Sequence, residues 1–479
     1  MLVTNDSYEY LKTLQDHSND IIYCDPPYAL GSEVIVRKDG KVDYKKANDF
    51  MNKWDMPTGS YWEKWFDEAY RTLKHGGWLI MFGMDRQLLL FKYYAHLSGF
   101  EEQQSLYWYF ISNFPKATDL SKMIDKSLGE EREVLRVREN DVRPNMEINS
   151  KKESNPYQLG LKADGSGVDT KPSSDLAKKY DGYKYSISPL KQTNETIMVF
   201  RKPTKTGSPL HDCLAYEKGD KTITVSALNI DGNRVGVEVR EQFSGKGTNG
   251  DVFNEYPQDN AHWETVTGRY PAQTFIDSQV AEVLDRQSGV SKGSSSDYDF
   301  GFGNQDNPSH NITNIKSGIH FDDIGGCSKI LHKCDYTQED YDLYNYEPKV
   351  NGHERNAGCD ELNEKPSASS EFRPNHTEKA LNGENRNPYG RWKPLTNNHP
   401  TLKPIALNEK ILKLFKTPND QVICYPFAGA GSEIIGGIKA GFENWHGCEI
   451  NQEYVDIANA RIEYWKKEMF TQTSIFDFL

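Results

Sequence analysis

The sequence predicts an α/β protein whose sheet is assembled from the two ends of the chain, with a long polar insertion between them. Three observations carry this. Near residue 20 and again near residue 420, short apolar runs alternate with amphipathic helical segments, the order of a parallel sheet. One apolar run ends in two prolines and another in a glycine-rich turn, at the strand ends where open α/β sheets bind ligands. Between the two ends lies a stretch rich in Asn, Asp, Ser, Gly and Lys.

Taken in order, Ile21-Ile22-Tyr23-Cys24 reads as a short buried strand. Pro26 and Pro27 must end it, since neither can donate to a sheet ladder. Asp25 and Tyr28 are thereby left on a stiff turn at the strand's carboxyl end. Taken alone, D-P-P is most simply a strand-ending turn capped by Asp25. In "SYWEKWFDEAYRTLKHGGWLIMFG", Trp62, Trp65, Phe66, Ala69 and Leu73 share one helical face. Gly76-Gly77 is expected to stop that helix, and Trp78–Gly83 reads as a second buried strand. The middle zone, about residues 115–391, carries short strand-like pieces such as "ETIMVFRKP" and "YPAQTFI". Between Arg143 and Lys205 it holds twelve Lys/Arg against seven Asp/Glu, a basic stretch suited to phosphates inside an acidic chain. The last zone resumes the alternation: "LNEKILKLF" as helix, "QVICYPF" as strand, "AGAGSE" as turn, "IIGGIKAG" as helix and "ENWHGCEI" as strand.

At 479 residues the chain is too long for one compact core, so two or three domains are expected. The net charge of -13 argues against a uniformly basic nucleic-acid coat but leaves room for a local basic face. The first twenty residues are polar with no apolar core of a signal peptide, and no run is long enough to span a membrane. The seven cysteines (Cys24, Cys213, Cys327, Cys334, Cys359, Cys424, Cys448) are scattered, the usage of a reducing cytosol and a cytoplasmic protein. Cys327, His332, Cys334, His353 and Cys359 lack the paired spacing of a zinc knuckle, and no metal is expected.

"FAGAGSE" (Phe427–Glu433) follows a strand and opens a helix, so its glycines let the backbone approach a ligand at the helix N-terminus. Glu449 ends the next strand, eighteen residues after Gly431, where an acid can accept bonds from the two hydroxyls of a ribose. A dinucleotide fingerprint would want glycine at Ile434. A nucleoside cofactor without a diphosphate therefore fits better than NAD.

With these motifs paired, the chain resembles the β class of DNA amino-methyltransferases, the adenine-N6/cytosine-N4 family whose catalytic motif precedes its cofactor motif. The matching pieces are "NDSYEYLKTLQDHSNDIIYCDPPYAL", the tryptophan helix with "LKHGGWLIMFG", "NFPKATDLSKMIDK", "ALNIDGNRVG", "HERNAG", "HPTLKP" and "PFAGAGSE…GFENWHGCEINQEYVDIANARI". They most resemble methylases of bacteriophages and prophages. The resemblance implies an S-adenosylmethionine-dependent, Rossmann-like sheet with permuted motif order and an inserted target-recognition region. Residues 1–114 would be the catalytic half, 115–391 the DNA-binding insertion, 392–470 the cofactor half and 471–479 a tail.

It further implies methyl transfer to a base flipped out of duplex DNA. The carboxylate of Asp25 and the carbonyl of Pro26 would accept the N–H bonds of the target amine, with Pro27 stiffening the turn and Tyr28 stacking on the base. Phe427, Gly429, Gly431 and Ser432 would line the cofactor, with Glu449 on its ribose and Asp6 beside its adenine. His399, Thr401 and Lys403 would cover its methionine end. Asp6 also reads as a helix N-cap, and His399-Pro400 as a turn. In the family, Asp before P-P-Y goes mostly with adenine and Ser with cytosine, so Asp25 favours adenine-N6 over cytosine-N4.

One departure stands out: the family usually places an acid before Pro-Phe, and this chain has Tyr425. It motivates two expectations, weaker cofactor binding and, as a rival reading, a catalytically weak DNA-binding relative. Other rivals are an RNA or protein-glutamine methyltransferase and the modification subunit of a restriction system. A homodimer and the recognition sequence are left open. Finally, "QTSIFDFL" (Gln472–Leu479) resembles sliding-clamp docking peptides, with Gln472, Ser474, Ile475 and Phe476 in the anchor positions.

Overall fold

The computed structural model describes residues 1–28, 33–45, 59–110, 117–137, 168–186, 189–244, 262–289, 291–292, 296–299, 316–319, 324–333, 352–363 and 396–476. Its centre is a ten-stranded sheet. In chain order the strands are β1 (Leu2–Thr4), β2 (Asn19–Cys24), β3 (Leu73–Gly83), β4 (Glu101–Glu102), β5 (Leu106–Tyr109), β6 (Asn194–Arg201), β7 (Thr274–Ile276), β8 (His332–Lys333), β9 (Val422–Tyr425) and β10 (Asn444–Glu449). Across the sheet they run β1-β10-β9-β2-β3-β6-β5-β7-β8, with β4 alongside β6. The first five are parallel, and β6 is antiparallel to both β3 and β5.

Strand alternation sorts the core into two faces. Ile21, Tyr23, Ile80, Phe82, Ile423 and Tyr425 pack under α4 (Ile405–Phe415), α5 (Ser432–Lys439) and α6 (Gln452–Phe476). Ile22, Cys24, Leu79, Met81 and Cys424 face α1 (Ser7–Thr13), α2 (Gly59–Thr72) and α3 (Asp85–Leu97). The result is the expected Rossmann-like layering of helices on both faces of the sheet. Because β9 lies beside β2, the chain's two ends meet at its centre. Among the described residues no helix is long and apolar enough to cross a membrane.

Three expectations are revised. The tryptophan helix ends at Thr72, before Gly76-Gly77, and Leu73 already belongs to β3. The stop comes from tertiary contacts: Leu73 pairs with Asn19, and the buried ammonium of Lys202 donates to the carbonyls of Tyr70 and Leu73 at 2.6 and 2.8 Å. The middle zone also contributes to the sheet itself, because the apolar run inside "ETIMVF" is buried as β6 between β3 and β5. Lastly, α6 runs on to Phe476, through the boundary expected after residue 470 between the cofactor half and the tail, since no Gly or Pro interrupts that stretch. Residues 477–479 of the tail lie outside the described residues, as does Cys334.

Candidate active site

The carboxyl ends of β2 and β9 stand side by side, so the D-P-P-Y turn and the glycine turn open onto the same edge of the sheet. The Pro27 carbonyl accepts a 3.2 Å hydrogen bond from the side chain of Gln87, a buried residue in the first turn of α3. Gln87 thus ties the stiff turn to a helix, a role with no signal in the local sequence.

Asp25 and Tyr28 meet Lys403. The Lys403 ammonium donates to Asp25 Oδ2 at 2.5 Å and to the Tyr28 hydroxyl at 3.0 Å, and it lies 5.0 Å from the Tyr28 ring centroid. It also lies 3.3 Å from Glu195 Oε2, at the start of β6. Tyr28 in turn donates to Glu195 at 3.4 Å. Lys403 and Glu195 are only 3% and 2% exposed, so water does little to screen them. Burial alone would lower the lysine, yet the charges of Asp25 and Glu195 outweigh it and raise its pKa, keeping the ammonium. Among the described residues, Asp25 Oδ1 is buried with no hydrogen-bond partner, an acceptor left over for a ligand. Lys403 therefore stands on the Asp25 carboxylate.

The glycine turn has the backbone that its sequence demands. Gly429 and Gly431 take φ of +49° and +80°, where L side chains are strained. A Cβ on Gly429 would come within 2.9 Å of His399 Nε2, so the imidazole of "HPTLKP" packs directly over the turn. His399 Nδ1 bonds the Thr401 carbonyl, and burial pushes the ring pKa down to about 3, which leaves it neutral. Glu449 accepts from the Gly429 N–H through Oε2 and from the Asn451 N–H through Oε1, both at 3.0 Å. Phe427 is wedged near Trp65 and Trp62, at centroid distances of 5.7 and 6.0 Å. Asp6 is the N-cap of α1, accepting from the N–H groups of Tyr8 and Glu9 at 2.9 and 3.1 Å. It lies on the same edge, because Thr4 pairs with Glu449 in the sheet.

Three charged residues of the site have no clear signature. Arg461 of α6 is fully buried and donates to the Ala430 carbonyl and, at 3.0 Å, to the Ser432 hydroxyl. It also donates to the Glu354 carbonyl at 3.1 Å, while Arg355 holds the His399 carbonyl at 2.7 Å. "HERNAG" is thus the strap that binds "HPTLKP" to the glycine turn. Glu433, in the first turn of α5, is 6% exposed. Burial first, then the charge of Asp25, push its pKa up to about 7. Glu195 carried a faint signal: an acid opening an otherwise apolar strand.

Tyr425 points into the core, edge-on to Tyr23 at 6.3 Å, and its ring occupies space that a side chain on Gly437 would need. Its hydroxyl is buried and, among the described residues, unpartnered.

The arrangement brings together a close-approach glycine turn, an acid bonded to that turn, and, on the neighbouring strand end, a carboxylate oxygen unpartnered among the described residues. These residues fit S-adenosylmethionine. Comparison with known proteins agrees. Residues 19–460 match the model of the N6/N4 methyltransferase family, described as DNA methylase. The type II methyltransferase M.HpaI of Haemophilus parainfluenzae is 27% identical over 128 residues, 26% of this chain. The aligned stretch spans 37% of that relative's length. Similar solved structures include the M1.HpyAVI-SAM complex, at 10% identity and a TM-score of 0.31 over 96% of this chain and 98% of that one. PvuII DNA methyltransferase (cytosine-N4-specific) aligns at 11% identity and a TM-score of 0.35 over 96% and 85%. With the family match running from β2 into α6, the chain belongs to the N6/N4 DNA methylase family, which is S-adenosylmethionine-dependent.

Proposed function

We propose that this protein is a site-specific DNA methyltransferase that places a methyl group on the N6 amine of an adenine flipped out of duplex DNA. The observation that carries the reading is Asp25 at the carboxyl end of β2, beside the glycine turn after β9, with Oδ1 buried and, among the described residues, unpartnered. An exocyclic amine is a poor nucleophile because its lone pair is delocalised into the ring. Two acceptors on its N–H bonds, Asp25 Oδ1 and the Pro26 carbonyl, draw the nitrogen toward a tetrahedral form and orient the lone pair. The bound cofactor supplies an electrophilic methyl on a sulfonium. Gly429, Gly431, Ser432 and Glu449 hold that cofactor, and His399 covers the turn. Gln87 keeps the D-P-P-Y turn rigid, and Tyr28 meets the flipped base.

The insertion would grip DNA. Exposed Lys178, Lys179 and Lys184 lie among exposed Tyr183 and Tyr185 on the segment that leads into β6, a surface suited to phosphates and bases. Adenine is preferred to cytosine because the catalytic residue is Asp25 and not serine.

The test is modification-sensitive sequencing of DNA from cells expressing wild type or Asp25→Asn. N6-methyladenine in one sequence context, present with wild type and absent with the variant, is the expected result. N4-methylcytosine instead would refute the target base, and unmodified DNA from wild type would refute the activity.

A further inference from the structure

Glu433 is a buried carboxylate at the ligand edge of the sheet to which the proposed function gives no task. It lies in the first turn of α5, two residues after Gly431, and so at the carboxyl end of β9 beside the Asp25 end of β2. Gly437, one turn further along the same face of α5, backs onto Tyr425, so that face looks onto the sheet. Glu433 accordingly overlooks the ends of β2 and β9. Its charge acts on the hydroxyls of Tyr23 and Tyr425 and on the Cys24 thiol, all of which burial keeps neutral. Asp25 is the charge that acts most strongly on it, and the cations Lys403 and Arg461 act in the opposite sense. The donors of both cations are directed elsewhere. Lys403 reaches Asp25, Tyr28 and Glu195, and Arg461 reaches the carbonyls of Ala430 and Glu354 and the Ser432 hydroxyl. Burial and Asp25 outweigh them and push the Glu433 pKa up to about 7, so near neutral pH this carboxyl is half protonated.

S-adenosylmethionine ends in an amino acid whose ammonium needs an acceptor in a site this closed to water. The other acids of the edge are engaged. Asp6 caps α1, and Glu449 accepts from the Gly429 and Asn451 N–H groups. Asp25 and Glu195 hold Lys403, with the remaining Asp25 oxygen assigned to the target amine. The cofactor's methyl and its amino-acid chain share one sulfur, so the ammonium belongs near the gap between the glycine turn and Asp25, which Glu433 overlooks. We infer that Glu433 is a cofactor-binding residue whose carboxylate pairs with the ammonium at the methionine end of S-adenosylmethionine. The pairing ionises Glu433, so cofactor binding expels the proton that the empty site holds. This inference rests on the proposed function and adds to it the residue that reads the amino-acid end.

The test is calorimetric titration of full-length wild type and Glu433→Gln at pH 7 with S-adenosylmethionine, S-adenosylhomocysteine and the desamino analogue of S-adenosylhomocysteine. Wild type should bind S-adenosylhomocysteine about ten-fold more tightly than the analogue, the scale of one charge-assisted hydrogen bond. Glu433→Gln should lose that preference while binding the analogue as wild type does, which also shows that the variant is folded. Repeating the titration in two buffers of different ionisation enthalpy counts protons. Wild type should release about half a proton on binding S-adenosylhomocysteine, and Glu433→Gln none. Equal weakening of both thioethers would mark a merely structural role and overturn the inference, as would no weakening of either or a proton count that the substitution leaves unchanged. Weakening confined to S-adenosylmethionine would put Glu433 on the sulfonium and overturn it too. Wild type that binds neither S-adenosylmethionine nor S-adenosylhomocysteine would instead sink the methyltransferase reading, and this inference with it.

Discussion

Lys403→Met is the substitution that most directly probes the cluster around Asp25. It keeps the length of the side chain and removes the ammonium that joins Asp25, Tyr28 and Glu195. Glu195 is 2% exposed, and the Asp25 side chain 15%, so two carboxylates would face each other with little water to separate them. Breaking a buried pair by removing one partner costs about 3–5 kcal/mol, and the partial exposure of Asp25 argues for the lower end, about 3 kcal/mol. The double variant Lys403→Met/Glu195→Gln leaves Asp25 as the one carboxylate of the trio, with the Tyr28 hydroxyl free to turn toward it. It should recover about 1–2 kcal/mol of the loss, a coupling that independent sites do not show. Urea unfolding at pH 7.5, followed by tryptophan fluorescence, measures both, with an unchanged m-value confirming the same transition. A loss under about 1 kcal/mol for the single variant, or strictly additive effects in the double, would refute the account of the cluster.

Glu433 makes stability depend on pH. Its folded pKa of about 7 lies above the ordinary 4.5, so between those values the folded chain holds a proton that the unfolded chain has released. Stability therefore falls as pH rises through this window, by an amount on the order of 3 kcal/mol from this group. Glu433→Gln should flatten that part of a stability-versus-pH series; an unchanged slope assigns it to other groups. Tyr425→Phe removes a buried hydroxyl that has no partner among the described residues, and thermal melts should show a stability gain of about 1 kcal/mol. A loss would show that the hydroxyl is satisfied. For the tail, a sliding clamp should be retained by wild type and lost with Ile475→Ala/Phe476→Ala in a pull-down. Because α6 continues to Phe476, docking in extended form requires its last turns to unwind, and equal recovery by both proteins rejects the peptide.

Much of this architecture is readable from one sequence, because the information is local. The apolar run before Pro26-Pro27 can only be a strand that stops there, and Asp25 and Tyr28 must sit at its end. The glycines of "FAGAGSE" occupy left-handed positions that other residues resist, so Gly429 and Gly431 announce the close-approach turn in the sequence itself. What sequence cannot give is which charges become neighbours. Asp25, Glu195 and Lys403 come from three distant stretches and meet because β6 inserts antiparallel beside β3 and α4 packs on β2 and β9. The end of the tryptophan helix is decided the same way, by Lys202, just past the end of β6, reaching the carbonyls of Tyr70 and Leu73 rather than by Gly76-Gly77. Tyr425 shows the limit from the other side. Its place in the motif suggests contact with the cofactor, but strand alternation turns its ring into the core under α5. Strand ends and turns are set by the covalent chain and its steric limits, so the sequence determines them alone; charge neighbourhoods are set by sheet order, which only the folded structure decides.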